Sequence, residues 1–156
     1  MDYNSETDVK CRILETDDFY PLSVLFNGSG LEVKISRETK PGTLKMWRCE
    51  DEDTGELLGA AVLMHKNGCF VLEDLAVLER CRGMGLGKTL MNIALDEAKG
   101  RGATEIWGCA KVPEYYYQYG WVEMDRYTSP DISNCQRCHQ FGKTCFPSII
   151  RKELSR

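Results

Sequence analysis

The sequence has no excess of positive charge, which a general nucleic-acid-binding protein would need. Its 156 residues include 20 Lys and Arg against 24 Asp and Glu, giving a formal net charge of -4. Binding to a phosphate backbone depends on replacing counterions with Lys and Arg. We therefore expect no nucleic-acid partner, and a phosphate-bearing ligand would have to be bound by a local cluster of positive charge.

Long apolar runs are also missing. No stretch approaches the roughly 20 apolar residues that cross a bilayer, and the first twenty residues are acidic and polar, unlike a secretory leader. We therefore expect a cytoplasmic protein with no membrane partner. Internal repeats, low-complexity tracts and linkers are absent too, so residues 1–156 are predicted to form a single domain. The sequence leaves open whether that domain is a monomer or a homodimer.

Local patterns predict an α/β (α+β) fold in which a mixed, mainly antiparallel twisted sheet is flanked by helices. Turn signals at Asp53-Thr54-Gly55 and Asn67-Gly68 separate three consecutive antiparallel strands. The predicted strands are residues 10–15, 44–50, 56–64, 69–77, 104–110, 121–125 and 148–154. Helices are predicted over residues 16–28, from Gly87 to Gly100 or Gly102, and over residues 113–120.

The stretch CRGMGLGKTL, residues 81–90, resembles a phosphate-binding loop at the start of a helix. A Walker loop would need a glycine at the position of Arg82, so that spacing fails by one residue. A dinucleotide fingerprint also fails, because the glycines are spaced GxGxG rather than GxGxxG. The pattern that fits is RxxGxG, formed by Arg82, Gly85 and Gly87. We refer to residues 82–88 as the glycine loop.

Backbone N–H groups of a loop that opens a helix converge on one spot, and the helix N-terminus adds partial positive charge. Such a loop accommodates a pyrophosphate, and the glycines let the phosphates come close. Arg80, Arg82 and Lys88 also place three cations here in an otherwise acidic chain. The alternative is a glycine-rich turn without a ligand.

The segment LAVLERCRGMGLGKTLM resembles the acetyl-CoA-binding motif of the GNAT superfamily of N-acetyltransferases. The likeness runs from about Lys10 to Trp121, and YYYQYGW is similar to the second signature of the family. This resemblance implies a GNAT-like acyl-CoA acyltransferase fold, with acetyl-CoA as co-substrate and a primary amine as acceptor. The cofactor-binding residues that it implies are Leu75, Ala76 and Val77 through backbone groups, Arg82, and the amides of Gly83, Met84, Gly85, Leu86, Gly87 and Lys88.

Acetyl transfer to an amine needs a base that removes a proton from the ammonium. Strict strand alternation in FVLEDLAV would place Val71, Glu73 and Leu75 on one face and Asp74 on the other. The resemblance implies that Glu73 is the base, acting through water. Alternatively, a β-bulge would exchange the two faces, and Glu73 could be a solvated strand residue.

The departing thiolate needs a proton donor. The resemblance implies that Tyr116, four residues before Gly120, is this general acid. A phenol with a pKa of about 10 can donate to a thiolate whose conjugate acid has a pKa near 8.5. Tyr115 and Tyr117 are alternative donors, and any of these tyrosines could instead be a packing residue. The resemblance further implies that a backbone N–H near Leu75 or Val77 stabilises the oxyanion.

The acceptor itself is not indicated by any motif. Small amines, polyamines, amino acids, antibiotics and protein N-termini or lysines remain open. The acidic stretches at residues 16–18 and 50–53 would favour a cationic acceptor, but such runs are more often solvated. Two other functions compete with acetyl transfer. One is a nucleotide hydrolase with an irregular phosphate loop, and the other is a non-catalytic acyl-CoA-binding or cysteine-based metal or redox sensor.

Three of the eight cysteines, Cys135, Cys138 and Cys145, lie in a loop predicted at about residues 129–147, before the last strand. Their spacing is CxxCx6C, and CxxC is a common half of a zinc site. No second half is evident, since His139 directly follows Cys138 and neighbouring side chains diverge. A metal site, a reversible disulfide and three free thiols remain open, and no metal ligand is assigned.

Overall fold

The computed structural model describes residues 10–132 and 147–155. Within these ranges, seven strands form one sheet and three α-helices accompany it. The strands are β1 Cys11–Glu15, β2 Thr43–Asp51, β3 Leu57–Lys66, β4 Cys69–Val77, β5 Glu105–Ala110, β6 Val122–Met124 and β7 Ser148–Glu153. The helices are α1 Phe19–Gly28, α2 Leu86–Gly100 and α3 Glu114–Tyr117, and a short 3-10 helix spans Glu79–Cys81.

The two predicted hairpins are confirmed. β2, β3 and β4 pair antiparallel in succession. Asn67 and Gly68, which join β3 to β4, have φ angles of 48° and 78°. Positive φ at both central residues is the requirement of a type I′ turn, which the Asn-Gly dipeptide satisfies. The turn after β2 is held by the Asp51 carboxylate, which accepts the amide N–H groups of Asp53 and Thr54 at 2.8 and 3.1 Å.

The strand order is β1-β2-β3-β4-β5-β7-β6. β5 is parallel to β4, and the other neighbouring pairs are antiparallel. The predicted mixed, mainly antiparallel sheet is therefore confirmed. The position of β7 was not predicted: this last strand inserts between β5 and β6 rather than joining an edge.

The sheet separates two apolar cores. Alternate residues of β3 belong to opposite cores: Ala60 and Val62 pack with α1, whereas Ala61 and Leu63 pack with α2. This follows from the period of two along a strand, which sends successive side chains to opposite faces. We call these two sides of the sheet the α1 face and the α2 face.

Both longer helices follow their sequence signals. Asp18 caps α1 by accepting the amide N–H of Tyr20 at 3.3 Å. The predicted apolar positions of α2 are all buried: Leu90, Met91, Ala94, Leu95 and Ala98. None of the helices in the described ranges is both long enough and apolar enough to cross a bilayer.

Most of the predicted cysteine loop, including Cys135, Cys138 and Cys145, lies outside the described residues. Its metal, disulfide or free-thiol state therefore stays a prediction. Across residues 10–132 and 147–155, no three His, Cys, Asp or Glu side chains are grouped so that they could hold a metal ion.

Candidate active site

β4 and β5 pair at one point only, Val71 with Trp107. Beyond that point, toward their carboxyl ends, the described parts of the two strands have no further paired residues. The edge of β4 that carries Leu75, Ala76 and Val77 is therefore open on the side of β5. This is the strand whose backbone was predicted to hold the pantetheine arm.

A cleft of about 1190 Å³ runs through this opening. It is lined from the α2 face by residues such as Leu72 and Trp121, and from the α1 face by Phe19 and Val71. The cleft therefore joins the two sides of the sheet. The glycine loop and the segment between α1 and β2 both contribute to its lining.

The glycine loop has the backbone of an anion-binding site. Gly83 and Gly85 have φ angles of 87° and 82°, in the left-handed region that favours glycine. Gly85 is the N-cap residue of α2, so no side chain there occupies the first amide N–H groups of the helix. Among residues 10–132 and 147–155, the amide N–H groups of residues 83–88 have no hydrogen-bond acceptor. These donors, together with the N-terminal end of the α2 dipole, can bind a phosphate.

The predicted cofactor-binding residues converge on the cleft, with one exception. Its lining includes Leu75, Ala76, Val77, Arg82, Gly83, Gly85, Leu86, Gly87 and Lys88. Met84 does not line it, and its side chain is exposed. Arg82 ties the glycine loop to the end of β4, since its Nε donates to the carbonyl of Val77 at 3.3 Å. Lys88 Nζ lies 5.7 Å from the ring centre of Tyr119.

β4 contains the β-bulge that the sequence left open as an alternative, and strict alternation of its side chains is therefore wrong. Val62 of β3 pairs with Asp74, but the next residue, Leu63, pairs with Leu72. Glu73 is the extra residue, and it shifts the alternation of side chains by one position. Val71 consequently faces the α1 core while Leu75 contacts the α2 core, although strict alternation predicted one face for both.

The bulge brings Glu73 and Asp74 to the same ammonium. Lys40 Nζ lies 3.3 Å from Glu73 Oε2 and 2.9 Å from Asp74 Oδ2. Asp74 therefore does not turn away from Glu73, and both line the cleft. Lys66 Nζ contacts the other oxygen of Glu73, Oε1, at 2.9 Å. Lys40 Nζ also lies 6.0 Å from the ring centre of Phe19. We call Glu73 and Asp74 the carboxylate pair.

Asp74 is the more deeply buried member of the pair, with 7% of its side chain exposed against 13% for Glu73. Burial raises the pKa of Asp74 to about 6, because removal from water disfavours the charged carboxylate. Lys40 lowers this pKa and the negative charge of Glu73 raises it, without reversing the effect of burial. Asp74 therefore changes charge just below neutral pH.

Tyr115 and Tyr116 of α3 line the cleft on the α2 face. Tyr116 is packed edge-on against Tyr115 and Trp121, with ring centres 5.3 and 5.5 Å apart. Burial, followed by the charges of Tyr115 and Asp74, raises the pKa of the Tyr116 phenol above its usual value. Tyr117 does not line the cleft, and its hydroxyl donates to Glu123 at 3.0 Å.

The sequence model of the Acetyltransferase (GNAT) family matches residues 13–116, which is more than half of the chain. The chain belongs to the GNAT family of acetyltransferases. The resemblance seen in the glycine loop is thereby confirmed. No curated protein is similar enough in sequence to count as a relative.

Solved GNAT structures share this fold. N-acetylglutamate synthase from Neisseria gonorrhoeae, complexed with coenzyme A and N-acetyl-glutamate, superposes with a TM-score of 0.73 at 18% identity. That match covers 96% of this chain but only 36% of the synthase chain. IAA acetyltransferase from Bacillus cereus superposes with a TM-score of 0.65 at 22% identity. The match covers 93% of this chain and 100% of the IAA acetyltransferase chain.

Arabidopsis thaliana Naa50, in complex with the bisubstrate analogue CoA-Ac-MVNAL, gives a TM-score of 0.66 at 16% identity. The match covers 94% of this chain and 100% of the Naa50 chain. At these identities the likeness establishes the fold of this GNAT protein and leaves its acceptor open.

Sequence reasoning missed Lys40 and Lys66, the two lysines that contact the carboxylate pair. Lys40 lies in a stretch between α1 and β2 without helix or strand, so no periodic pattern marks it. The acidic stretches at residues 16–18 and 50–53 do not line the cleft. Glu50 instead pairs with Arg12 at 3.1 Å and Arg48 at 3.6 Å. The acidic residues that line the cleft are instead the carboxylate pair, Glu32 and Glu38, and five Lys and Arg residues line it as well.

Proposed function

We propose that this GNAT protein transfers the acetyl group of acetyl-CoA directly to a primary amine. One observation carries the proposal: the ammonium group of Lys40 lies between two carboxylates in a cleft that is also lined by the glycine loop. A cleft of this kind can hold an amine and an acyl-CoA together, so that they react without a covalent enzyme intermediate.

The residues fit acetyl-CoA. The amides of the glycine loop and the cations Arg82 and Lys88 suit the pyrophosphate, and the open edge of β4 around Leu75, Ala76 and Val77 suits the amide groups of the pantetheine arm. The synthase was solved in complex with coenzyme A, and Naa50 in complex with the bisubstrate analogue CoA-Ac-MVNAL. When bound, acetyl-CoA supplies the activated acetyl group.

The acceptor is a primary amine that arrives as an ammonium ion. Lys40 Nζ occupies a place between the carboxylate pair and the face of Phe19, which attracts cations through its ring electrons. An ammonium from solution can make the same charge-assisted hydrogen bonds once Lys40 moves aside. We therefore expect cationic amines to be better acceptors than neutral or anionic ones.

Glu73 acts as the base, and Asp74 holds the ammonium. Both carboxylates lie within hydrogen-bond reach of a nitrogen at the Lys40 position, which is the first requirement of a base. Glu73 is the more accessible of the two, so it can pass the proton through water to solvent. Asp74, the more deeply buried carboxylate, fixes the direction of the amine.

Tyr116 donates the proton that the departing sulfur requires. Its raised pKa keeps the phenol protonated at neutral pH, so Tyr116 enters the reaction as an acid and not as a base. A backbone N–H of β4 near Leu75 or Val77 stabilises the negative charge that develops on the acetyl oxygen.

The test is CoA release from acetyl-CoA over a panel of amines, amino acids, polyamines and short peptides, with wild-type protein and Glu73→Gln. We expect one class of acceptor to support CoA release by the wild-type protein. Glu73→Gln should lower kcat at neutral pH by about 10²- to 10⁴-fold. Part of that loss should be regained at high pH, where the acceptor is already deprotonated. A loss in Asp74→Asn with full activity in Glu73→Gln would transfer the role of base to Asp74.

Tyr116→Phe should lower kcat with little change in KM, because the donor is needed only as the sulfur departs. The matched control is Tyr117→Phe, which removes a hydroxyl from the same helix but outside the cleft. CoA binding without release for any amine would contradict the catalytic proposal. That result would favour a non-catalytic acyl-CoA-binding module.

A further inference from the structure

Lys40 meets the geometric requirement of an acceptor amine. An amine that gives its proton to a base must lie within hydrogen-bond reach of that base. Lys40 Nζ lies 3.3 Å from Glu73 Oε2 and 2.9 Å from Asp74 Oδ2, and the residue lines the same cleft as the glycine loop. With 26% of its side chain exposed, Lys40 is partly buried and remains accessible to solvent.

We propose that Lys40 is a self-acetylation site, whose Nζ takes an acetyl group from acetyl-CoA bound in the cleft of the same molecule. The inference rests on the proposed acetyltransferase function and extends it to a residue of the chain itself. Lys40 stands on the stretch between α1 and β2, and its four-carbon stem lets Nζ shift while the backbone stays in place.

The step uses the groups already described. Lys40 gives one proton to the carboxylate pair, which passes it to solvent, and the neutral amine forms a C–N bond to the acetyl carbon. The C–S bond breaks, and the sulfur leaves with a proton from Tyr116. The second proton of the nitrogen restores the Tyr116 phenol. The products are an acetamide on Lys40, CoA thiol and one released proton, so no oxidant or reductant is needed.

Uncatalysed chemistry would select other lysines. Burial lowers the pKa of Lys40, but the attraction of Asp74 and Glu73 outweighs burial and raises this pKa above its usual value. Lys40 is thus a poor nucleophile toward acetyl-CoA in solution, whereas Lys99 is exposed on α2. Preferential acetylation of Lys40 would therefore show that the cleft catalyses the reaction.

Lys66 is a matched control within the same molecule. Its Nζ contacts Glu73 Oε1 at 2.9 Å, and 21% of its side chain is exposed, close to the value for Lys40. Lys66 does not line the cleft. If contact with a carboxylate alone made a lysine reactive, Lys66 and Lys40 would be acetylated alike. If the cleft is required, only Lys40 reacts.

The experiment incubates the wild-type protein with acetyl-CoA and follows acetylation by intact mass and by tryptic peptides. Trypsin does not cut between Lys40 and Pro41, so peptide 38–45 is obtained with or without the modification. We expect Lys40 to be acetylated about tenfold faster than Lys66 or Lys99 in the same sample. The rate per molecule should not depend on protein concentration, because the step is intramolecular.

Glu73→Gln should slow acetylation of Lys40 about tenfold or more, and Lys40→Arg should abolish the modification of peptide 38–45. Acetylation of Lys40 no faster than of Lys99, or equally fast in Glu73→Gln, would overturn the inference. CoA release with external amines is measured in parallel. Release without Lys40 acetylation would refute the inference and leave the proposed function standing, and loss of both would refute both.

Discussion

Asp74 is the residue whose charge should set the acidic limit of activity. The groups that face it are Lys40, Glu73, Lys66 and the buried phenol of Tyr116. Its pKa of about 6 means that the carboxylate is charged above that pH and neutral below it. Since an acceptor ammonium needs the charged form, kcat/KM should be high above pH 6 and fall as the pH drops through about 6.

The wild-type pH profile of kcat/KM tests this prediction. Two variants should shift or remove the acidic limb of that profile. Lys40→Met removes the cation that lowers the pKa of Asp74, so the acidic limb should move to higher pH. Asp74→Asn removes the titrating group, so the limb near pH 6 should disappear from whatever activity remains. A limb that stays in place in both variants would belong to another group.

The carboxylate pair also marks the limit of sequence reasoning at the residue scale. The chemistry of β4 is visible in FVLEDLAV, but alternation assigns Glu73 and Asp74 to opposite faces. The bulge that unites them depends on pairing with β3, at Val62 and Leu63, which is a long-range property of the sheet. Lys40 comes from a stretch without periodicity, so its place beside the pair could not be predicted.

At the scale of elements, Gly87 controls how α2 and α3 approach one another. A Cβ at position 87 would collide with the hydroxyl of Tyr115. Gly87→Ala should therefore displace Tyr115 or the start of α2, destabilising the protein by about 1–3 kcal/mol. It should also weaken CoA binding by about tenfold, since the amides of the first turn lose their alignment. Urea unfolding and calorimetric titration with CoA measure the two effects.

Gly100→Ala is the matched control for that change. It lies at the other end of α2, and a Cβ there would meet nothing within 4 Å. We expect CoA binding to stay unchanged and stability to hold or rise by up to about 1 kcal/mol, because alanine favours a helix over glycine. Equal loss of CoA affinity in both variants would show that the fit of Gly87 against Tyr115 is unimportant.

The elements themselves were largely predictable, because their signals are local. Asn67-Gly68 specifies its turn, and the apolar spacing of α2 specifies its buried side. The order of the strands in the sheet was harder to predict. β7 enters between β5 and β6, and both of its neighbours precede it by more than twenty residues, so no adjacent pattern indicates the pairing.

At the scale of the whole molecule, the opening between β4 and β5 makes ligand binding and stability interdependent. The two parts of the sheet meet through one residue pair, Val71 with Trp107, and through packing of the cores. A ligand in the cleft contacts residues from both parts and adds free energy to the folded state alone. CoA at 100 times its Kd should stabilise the fold by about 2.7 kcal/mol.

That free energy corresponds to a rise in Tm of roughly 5–10 °C for a chain of this length. Thermal unfolding with increasing CoA measures it, and Gly87→Ala should need a higher CoA concentration for the same rise. Mg-ATP at equal concentration should change Tm much less, because the glycine loop lacks Walker spacing and the triphosphate has no pantetheine arm to lie along β4. Stabilisation by Mg-ATP without stabilisation by CoA would contradict the acyl-CoA site and favour a nucleotide-binding loop.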